Sequence, residues 1–387
     1  MPNSANLRTS FFPTQLSPSV GIFIVPVAPS SATKKLSRQH TRFSRLPVVD
    51  IRGLYSADER ERAATARKLG DAARELGFSY VVGHRVPSAI IQQALGQSKS
   101  FFSLTFEEKM KVYIGLSKHH KGYVPEGEEV FSAGSKDLKE AFDLGLDLSP
   151  NDPEVLAGTP MLGPNVWPDL PGFREAIGAY YYAVSTMGQI LFRGFAKALE
   201  LPESYFDDFL TKPPSQLRLI HYPRNPDAVD GSGIGAHTDY ECFTILLPTA
   251  DGLEVMNGAG EWIDAPPVEG AFVVNIGDML EVWTNGEFVA TSHRVRSVQE
   301  ERYSFAMFCM CDYHTLVQPL PPFVSAERPA QYESQIAGEH LFAQTAQSFS
   351  YIKKRIVAGE LVLPDSAKPL ASFGQEARHS MPKKEMS

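Results

Sequence analysis

The sequence predicts an α+β protein with a mainly β core, a double-stranded β-helix (jelly roll), with a helical N-terminal region and a C-terminal helix. Helical periodicity dominates the chain up to about residue 200. From Gln216, short β-rich runs alternate with Gly, Pro, Asn and Asp, and a helical pattern returns near Glu339. We therefore expect four segments, namely an extension (1–45), a helical region (46–200), the jelly-roll domain (201–360) and a loose tail (361–387).

The helical region begins with a short strand-like run, Leu46–Ile51. Ser56 and Glu59 have the spacing of a capping box, which predicts that Ser56 is the N-cap of the first helix. That helix is expected to end at Gly77, since glycine commonly follows a helix C-terminus. The other elements predicted here are a strand over Phe78–Val82, helices over Ser88–Phe102 and Phe106–Val112, a loop over Lys121–Pro125, and a long helix within Pro171–Leu199.

The β core is predicted from eight β-rich runs that follow one another at short intervals. Strands at this spacing are typical of sandwiches and barrels, and a jelly roll fits best. A last helix, roughly Glu339–Val357, is expected to pack back on the barrel. The eight runs are Leu217–Tyr222, Cys242–Leu247, Leu253–Met256, Trp262–Ala265, Ala271–Ile276, Glu281–Trp283, Thr291–Val295 and Tyr303–Met310.

The composition is that of an ordinary soluble globular enzyme, with 43% apolar and 21% charged residues among 387. With a net charge of −8, the chain lacks the excess of basic residues that is typical of nucleic-acid-binding proteins, so a nucleic-acid partner is not expected. No apolar run approaches the length of about 18 residues that a membrane span needs. Cys242, Cys309 and Cys311 lie in apolar runs, which predicts buried free thiols and a reducing, cytoplasmic setting. Nothing in the sequence indicates an oligomeric state.

The first 45 residues differ from the rest of the chain, because they are basic, rich in Ser, Thr and Pro, and free of Asp and Glu. An N-terminus of this kind is typical of organelle transit peptides. A disordered extension explains the same composition without any targeting function, and we prefer that interpretation.

The candidate reactive site consists of His237 and Asp239, two residues apart, together with a later histidine, His293. On a β-strand, residues two apart project from the same face. None of the other eight histidines has an acid two places after it. Two imidazoles and one carboxylate form the facial triad that holds Fe(II) in non-haem oxygenases. We expect His293 to come from a strand that lies opposite in the barrel.

A candidate anion clamp follows nine residues after His293, where Arg302 and Ser304 share one face of a predicted strand. A planar guanidinium beside a hydroxyl suits a carboxylate, which arginine binds in bidentate fashion. An arginine two residues before a serine is a weak pattern alone, but its position after a candidate metal ligand favours an anion anchor.

These residues belong to a longer pattern that resembles the isopenicillin N synthase-like Fe(II)/2-oxoglutarate-dependent dioxygenases. Leu46–Val112 is similar to the N-terminal region of that family. Leu217–Pro223 resembles its Asn-Tyr-Tyr-Pro strand, and Asn275–Asp278 its Asn-x-Gly-Asp turn. Thr284–Phe288 and Ser292–Val295 resemble the segment that leads to the third ligand. The similarity extends from about residue 46 to 350 with the motifs in order.

The resemblance implies a jelly-roll core with Fe(II) on His237, Asp239 and His293. It also implies that Arg302, Ser304 and Tyr222 hold the carboxylate of 2-oxoglutarate or of the substrate. Ascorbate is expected to support the activity. Catalytic residues beyond the metal ligands are not expected.

Three features bear on the details of this resemblance. The asparagine of the family's strand is Ile220 here, so one polar contact to the co-substrate is missing. The glycine that commonly follows the first two ligands is Glu241. His119 and His120 invite a second metal site, but adjacent residues of an extended chain face opposite ways, so we expect a solvated polar loop.

The sequence therefore predicts Fe(II)- and 2-oxoglutarate-dependent oxidation of a small organic substrate, with hydroxylation as the default outcome and a place in secondary metabolism. Two alternatives stay within oxygen chemistry: an oxidase that needs no 2-oxoglutarate, and fragmentation of 2-oxoglutarate to ethylene. A zinc-binding cupin-like hydrolase or a non-catalytic jelly roll is a third, since zinc also accepts two histidines and a carboxylate. The identity of the substrate has no readable signal.

Overall fold

The computed structural model describes residues 42–129, 139–225, 232–296 and 299–364. The predicted N-terminal extension, apart from 42–45, and the predicted tail beyond 364 lie outside these residues. Within them, helices and strands have the following bounds. The helices are α1 (Glu59–Glu75), α2 (Ser88–Phe102), α3 (Phe106–Met110), α4 (Pro153–Leu156), α5 (Phe173–Ala198), α6 (Asp278–Trp283), α7 (Ala337–Ser348) and α8 (Ser350–Val357).

The strands are β1 (Val48–Asp50), β2 (Phe78–Val82), β3 (Gly122–Val124), β4 (Glu140–Gly145), β5 (Gln216–Tyr222), β6 (Ser232–His237), β7 (Phe243–Pro248), β8 (Leu253–Met256), β9 (Trp262–Asp264), β10 (Phe272–Ile276), β11 (His293–Arg296), β12 (Arg302–Cys309), β13 (Leu316–Val317) and β14 (Gln335–Ile336). In the described ranges they form a major sheet in the order β1-β2-β10-β7-β12-β5-β4-β3, a minor sheet in the order β6-β11-β8-β9, and the pair β13-β14.

The major sheet has two apolar faces, as expected of a sheet covered on both sides. Its outer face packs in one large cluster with the buried sides of α1, α2 and α5, and includes Phe142, Leu219 and Phe305. Its inner face packs on the minor sheet, because Tyr222 of β5 lies in one cluster with Val295 of β11. This arrangement confirms the predicted jelly-roll core with helices around it.

The functional interior therefore lies between the two sheets, and side chains alternate between it and the helical layer. On β5, Leu217, Leu219 and His221 face outward, whereas Arg218, Ile220 and Tyr222 face inward. The same alternation on β12 directs Arg302 and Ser304 inward.

Several element predictions are confirmed closely, including α2 and β8, but others are wrong. Glu281–Trp283 is part of helix α6, in which Met279 to Trp283 are all buried. A short apolar run does not distinguish a buried strand from a buried helix. The region predicted to be helical also contributes β3 and β4 to the major sheet, and β3 lies inside the predicted loop Lys121–Pro125.

Two helix boundaries also differ from the prediction. The N-cap of α1 is Asp58, whose carboxylate accepts a hydrogen bond from the Arg60 amide, and Ser56 instead accepts one from the Asp58 amide. The predicted last helix is two helices, because Phe349 adopts an extended conformation between α7 and α8. No helix in the described part of the chain is long and apolar enough to cross a membrane.

Candidate metal centre

The two histidines and the aspartate of the predicted triad converge at one end of the minor sheet. His237 ends β6 and His293 begins β11, and these two residues are direct partners in the sheet. The Nε2 atoms of His237 and His293 lie 3.6 and 3.5 Å from Asp239 Oδ1. Candidate ligand atoms of all three residues lie within 4.8 Å of one another, and among the described residues no other group of this kind is found.

Two geometric expectations about this triad are wrong. The strand of His293 is the hydrogen-bonded neighbour of the strand of His237, not one that lies opposite in the barrel. Asp239 lies beyond the end of β6, so its position does not come from strand alternation. It comes from the turn after the strand, where the Asp278 amide donates to the Asp239 carbonyl oxygen.

Backbone hydrogen bonds orient both imidazoles toward the centre. His237 Nδ1 lies 2.8 Å from the Gly235 carbonyl oxygen, and His293 Nδ1 lies 3.2 Å from that of Thr291. Because a carbonyl oxygen only accepts, each Nδ1 carries a proton and donates, and a bound metal would take the Nε2 lone pair. Although burial alone lowers it, the pKa of His293 is raised, because the Asp239 carboxylate favours the protonated form. Burial lowers the pKa of His237 to about 4, so this imidazole is neutral near pH 7.

The Asp239 carboxylate is held by two polar side chains of the major sheet. Asn275 Nδ2 donates to Asp239 Oδ2 at 2.7 Å, and the Thr244 hydroxyl donates to the same oxygen. Oδ1 is thereby left to face the imidazoles. Although burial alone raises it, the pKa of Asp239 lies well below the usual value, because His293 and the hydrogen bonds favour the carboxylate.

Thr244 and Asn275 were not identified as site residues from the sequence. They are direct partners on β7 and β10, on the inner face of the major sheet. Asn275 belongs to the recognised Asn-x-Gly-Asp turn, which was an available signal. Thr244 lies in an ordinary β-rich run, and no sequence motif marks it as a site residue.

The donor set suits Fe(II). Two neutral imidazole nitrogens and one carboxylate oxygen, buried and converging from one side, are the ligands that non-haem iron takes while leaving other positions open. The hydrogen bonds behind each ligand are those expected of a preformed metal site. Iron bound to His237, Asp239 and His293 is consistent with every contact described above.

The candidate anion clamp lies on the inner face of the major sheet. Arg302 and Tyr222 are direct partners on β12 and β5, and the Arg302 guanidinium lies 4.8 Å from the centre of the Tyr222 ring. Arg302 is fully buried and Ser304 is 1% exposed. The Arg302 Nε donates to the Ala250 carbonyl oxygen, but among the described residues neither Nη1 nor Nη2 has a partner, and the Tyr222 hydroxyl has none.

An unpaired guanidinium in a buried pocket costs several kcal/mol unless an anion binds it. The unused N–H groups and the Tyr222 hydroxyl could therefore hold a carboxylate. Ile220, the direct partner of Ser304, contributes only an apolar surface where the related strand carries asparagine.

The second metal site that His119 and His120 invited has no support in the described residues. The expected solvated loop is also wrong for His120, because this residue is buried and its Nδ1 lies 2.5 Å from the Tyr351 hydroxyl. The three cysteines are free and buried, as predicted.

Comparison with known protein families gives two matches along the chain. The family model described as non-haem dioxygenase in morphine synthesis, N-terminal, matches residues 46–170. The model of the 2OG-Fe(II) oxygenase superfamily matches residues 213–310, which include all three candidate metal ligands and both residues of the clamp.

Individual relatives agree with these matches. A homoarginine-6-hydroxylase of Oryza sativa subsp. japonica is 34% identical over 79% of this chain and 98% of its own. A 2-oxoglutarate-Fe(II) type oxidoreductase of Emericella nidulans is 32% identical over 74% of this chain and 85% of its own. Among solved structures, a Neurospora crassa protein in complex with α-ketoglutarate and thymine is 26% identical, with a TM-score of 0.68 over 80% of this chain and 99% of that one.

Proposed function

Since the chain belongs to the isopenicillin N synthase-like 2-oxoglutarate- and Fe(II)-dependent oxygenases, we propose that His237, Asp239 and His293 hold its iron. We propose further that Arg302, with Ser304 and Tyr222, holds the distal carboxylate of 2-oxoglutarate. The protein is an oxidoreductase that uses Fe(II), 2-oxoglutarate and O₂ on a small molecule. The assignment of these six residues is the part that remains to be tested.

The observation that carries the assignment is the fully buried Arg302 guanidinium with two unpartnered nitrogens. A zinc hydrolase has no use for such a group, whereas 2-oxoglutarate brings a carboxylate of matching shape and charge. When bound, Fe(II) and 2-oxoglutarate supply the oxidant through O₂ activation, with release of succinate and CO₂.

The residues of the chain bind and orient the co-substrate and the proposed metal ligand Asp239. Arg302 neutralises and orients the co-substrate, and Ser304 and Tyr222 offer hydroxyls to the same carboxylate. Asn275 and Thr244 fix the carboxylate of Asp239. The burial of Asp239, His293 and Arg302 keeps bulk water away from the reacting centre.

The reaction on the primary substrate is proposed to be hydroxylation, in secondary metabolism. The rice relative is named a hydroxylase of homoarginine, and the fungal relative an oxidoreductase of the 2-oxoglutarate-Fe(II) type. The name of the rice relative supports a polar, nitrogen-containing small molecule as the first substrate class to examine.

The assignment is tested by 2-oxoglutarate consumption with Fe(II) and ascorbate. We expect His237→Ala to abolish turnover and to abolish the charge-transfer absorption that forms when Fe(II) and 2-oxoglutarate are mixed without O₂. His314→Ala, at a surface histidine paired with Glu154, is the matched control and should behave like the wild type. Turnover that persists in His237→Ala would disprove the assignment.

A further inference from the structure

Four charged side chains form a second buried cluster beside the proposed iron site. The Arg218 Nε and Nη2 atoms donate to the two oxygens of Asp143, both at 2.8 Å. Its Nη1 donates to both oxygens of Glu129, at 2.9 and 3.0 Å. Lys139 Nζ lies 3.0 Å from Glu129 Oε2. None of the four side chains is more than 8% exposed, and we call them the ion cluster.

The ion cluster faces the interior between the sheets. Arg218 shares the inward face of β5 with Tyr222, and Asp143 is its direct partner on β4. On the other side Arg218 pairs with Ala306, two residues along β12 from Ser304. The ion cluster is therefore a continuation of the surface that carries the carboxylate clamp.

The distance from the ion cluster to the side chains that hold Asp239 is about the length of a small molecule. Thr244, which holds Asp239, lies on β7, and Arg218 lies on β5, with only β12 between them. Two strand spacings are about 10 Å.

Fold stability is a weak explanation for the ion cluster, because the cost of dehydrating four charges offsets most of their mutual attraction. The sheet already contains a buried ion pair on its outer face, where Lys109 Nζ lies 2.6 Å from Glu140 Oε2. That pair faces the helical layer. Because Glu140 lies on the same strand as Asp143, the pair can be compared directly with the ion cluster.

We propose that the ion cluster is the polar wall of the primary-substrate site and binds a substrate edge with an N–H donor beside an oxygen acceptor. Amides, lactams and the zwitterionic end of amino acids carry such an edge. The proposal rests on the proposed function, since it places the substrate between the ion cluster and the iron.

The chemistry of the substrate edge follows from the hydrogen-bond donors and acceptors that the ion cluster still offers to a ligand. A guanidinium has five N–H donors, and among the described residues the contacts to Asp143 and Glu129 use four of those of Arg218, leaving one on Nη2. Each carboxylate offers about four lone pairs, more than the contacts described above occupy. The two cations and two carboxylates balance, so a ligand without net charge at this edge avoids an uncompensated buried charge.

The C-terminal helices cover one end of the ion cluster. The Phe349 ring, at the junction of α7 and α8, lies 5.5 Å from the Arg218 guanidinium. The backbone of Glu129 forms a bridge with that of Phe349, and the Glu128 carbonyl oxygen accepts from the Ser350 amide. Arg218 is therefore held rigidly, as a group that orients a ligand must be.

The test uses three probes that differ at the proposed edge: thymine, L-homoarginine and 3-phenylpropanoate, an anion with no N–H group. Each is titrated without O₂ into the full-length protein loaded with Fe(II) and 2-oxoglutarate, and the change in the charge-transfer absorption gives its dissociation constant. We expect thymine or L-homoarginine to bind. Glu129→Gln and Asp143→Asn should each weaken that binding about tenfold or more, the usual loss for a hydrogen bond to a charged group.

Glu140→Gln is the control, because it removes a buried charge from the outer face of the same strand and should leave probe binding unchanged. The affinity for 2-oxoglutarate should be unchanged in all three variants, and the ratio of succinate formed to probe oxidised should rise only in the two ion-cluster variants. Binding of 3-phenylpropanoate alone, no perturbation by either polar probe, or equal losses in Glu140→Gln would overturn the proposal. Failure of the proposed function is recognised separately, by a wild-type protein that develops no charge-transfer absorption.

Discussion

The geometry of the iron site depends on side chains that bind no metal themselves. Asn275 and Thr244 hold one oxygen of Asp239 and thereby direct the other toward the two imidazoles. Groups of this kind commonly contribute a factor of about 10 to 100 in metal affinity.

We expect Asn275→Ala to weaken Fe(II) binding by about 10- to 100-fold, because Asp239 then loses one of the two donors that orient it. Fe(II) titration without O₂ in the presence of 2-oxoglutarate measures the effect. Asn257→Ala is the control, since Asn257 is equally buried but holds Glu261 and the Phe43 carbonyl oxygen, neither of which is a proposed metal ligand. Equal affinities in Asn275→Ala and the wild type would contradict the orienting role.

Arg302 gives a second prediction at this scale. Replacement by methionine, which keeps the length but removes the charge, should raise KM for 2-oxoglutarate by about 100-fold or more, as expected for the loss of a buried charged pair. The same variant should raise the thermal stability of the ligand-free protein, because it removes an unpartnered buried cation. Arg193→Met, at an exposed pair with Asp207, should change neither quantity. A KM unaffected by Arg302→Met would exclude the proposed anchor.

At the scale of elements, the turn between α1 and β2 supports the strand that begins with His293. Gly77 has a φ of +71°, and a Cβ there would lie 2.0 Å from the Val289 carbonyl oxygen. The neighbouring Leu76 carbonyl oxygen accepts from the Thr291 hydroxyl, two residues before the metal ligand. The first helix therefore contributes to the position of the site without touching it.

Gly77→Ala should destabilise the protein by at least about 2 kcal/mol, since a left-handed residue acquires a side chain and meets backbone. Gly96→Ala, in the middle of α2 with open space around it, should instead stabilise the protein by about 0.5–1 kcal/mol. Urea unfolding of both variants measures the difference. Two losses of the same size would show that backbone conformation at Gly77 has no special role.

The contact between the C-terminal helices and the segment before β3 should make stability depend on pH. Burial lowers the pKa of His120 to about 3, and its ring meets the Tyr351 hydroxyl at the start of α8. In the unfolded chain the pKa is near 6.5, so the unfolded state takes up the proton first. The stabilising contribution is thus complete above pH 6.5 and is lost as pH falls from 6.5 toward 3.

We expect His120 to account for a loss of about 2 kcal/mol between pH 7 and pH 5. His120→Gln should make the free energy of unfolding less dependent on pH in this range. Tyr351→Phe should lower stability at every pH but keep the slope, because burial, not the hydrogen bond, causes the shift. A slope that is identical in wild type and His120→Gln would rule out His120 as its source.

For the whole molecule, the sequence predicted those features of the fold that a local residue pattern determines. The inward pair Arg302 and Ser304 and most strands of the jelly roll were predictable from period-two alternation and turn residues. The convergence of His237, Asp239 and His293 was also predicted, although strand alternation was the wrong reason for the position of Asp239. The pairing of β6 with β11 was not, because register between distant strands depends on the whole sheet. The ion cluster was missed for the same reason, since its members come from segments that only the fold brings together.

The position of the metal between the sheets leads to the last prediction. His237 and His293 belong to the minor sheet, whereas Asp239 is held by Thr244 and Asn275 of the major sheet. A bound ion would therefore connect the two halves of the core, and 2-oxoglutarate held by Arg302 would add a second link between them. Ligands that bind only the folded state each add about 2.7 kcal/mol at a concentration of 100 times Kd.

We expect Fe(II) and 2-oxoglutarate together to raise Tm by several degrees in anaerobic thermal unfolding. His237→Ala should lose the shift caused by the metal, and Arg302→Met should keep it while losing the further shift caused by 2-oxoglutarate. Succinate in place of 2-oxoglutarate is the control, because it lacks the 2-oxo group and cannot chelate the iron. A full Tm shift in His237→Ala would mean that Fe(II) and 2-oxoglutarate stabilise the protein by binding elsewhere. It would contradict the assignment of the metal site to the junction of the two sheets.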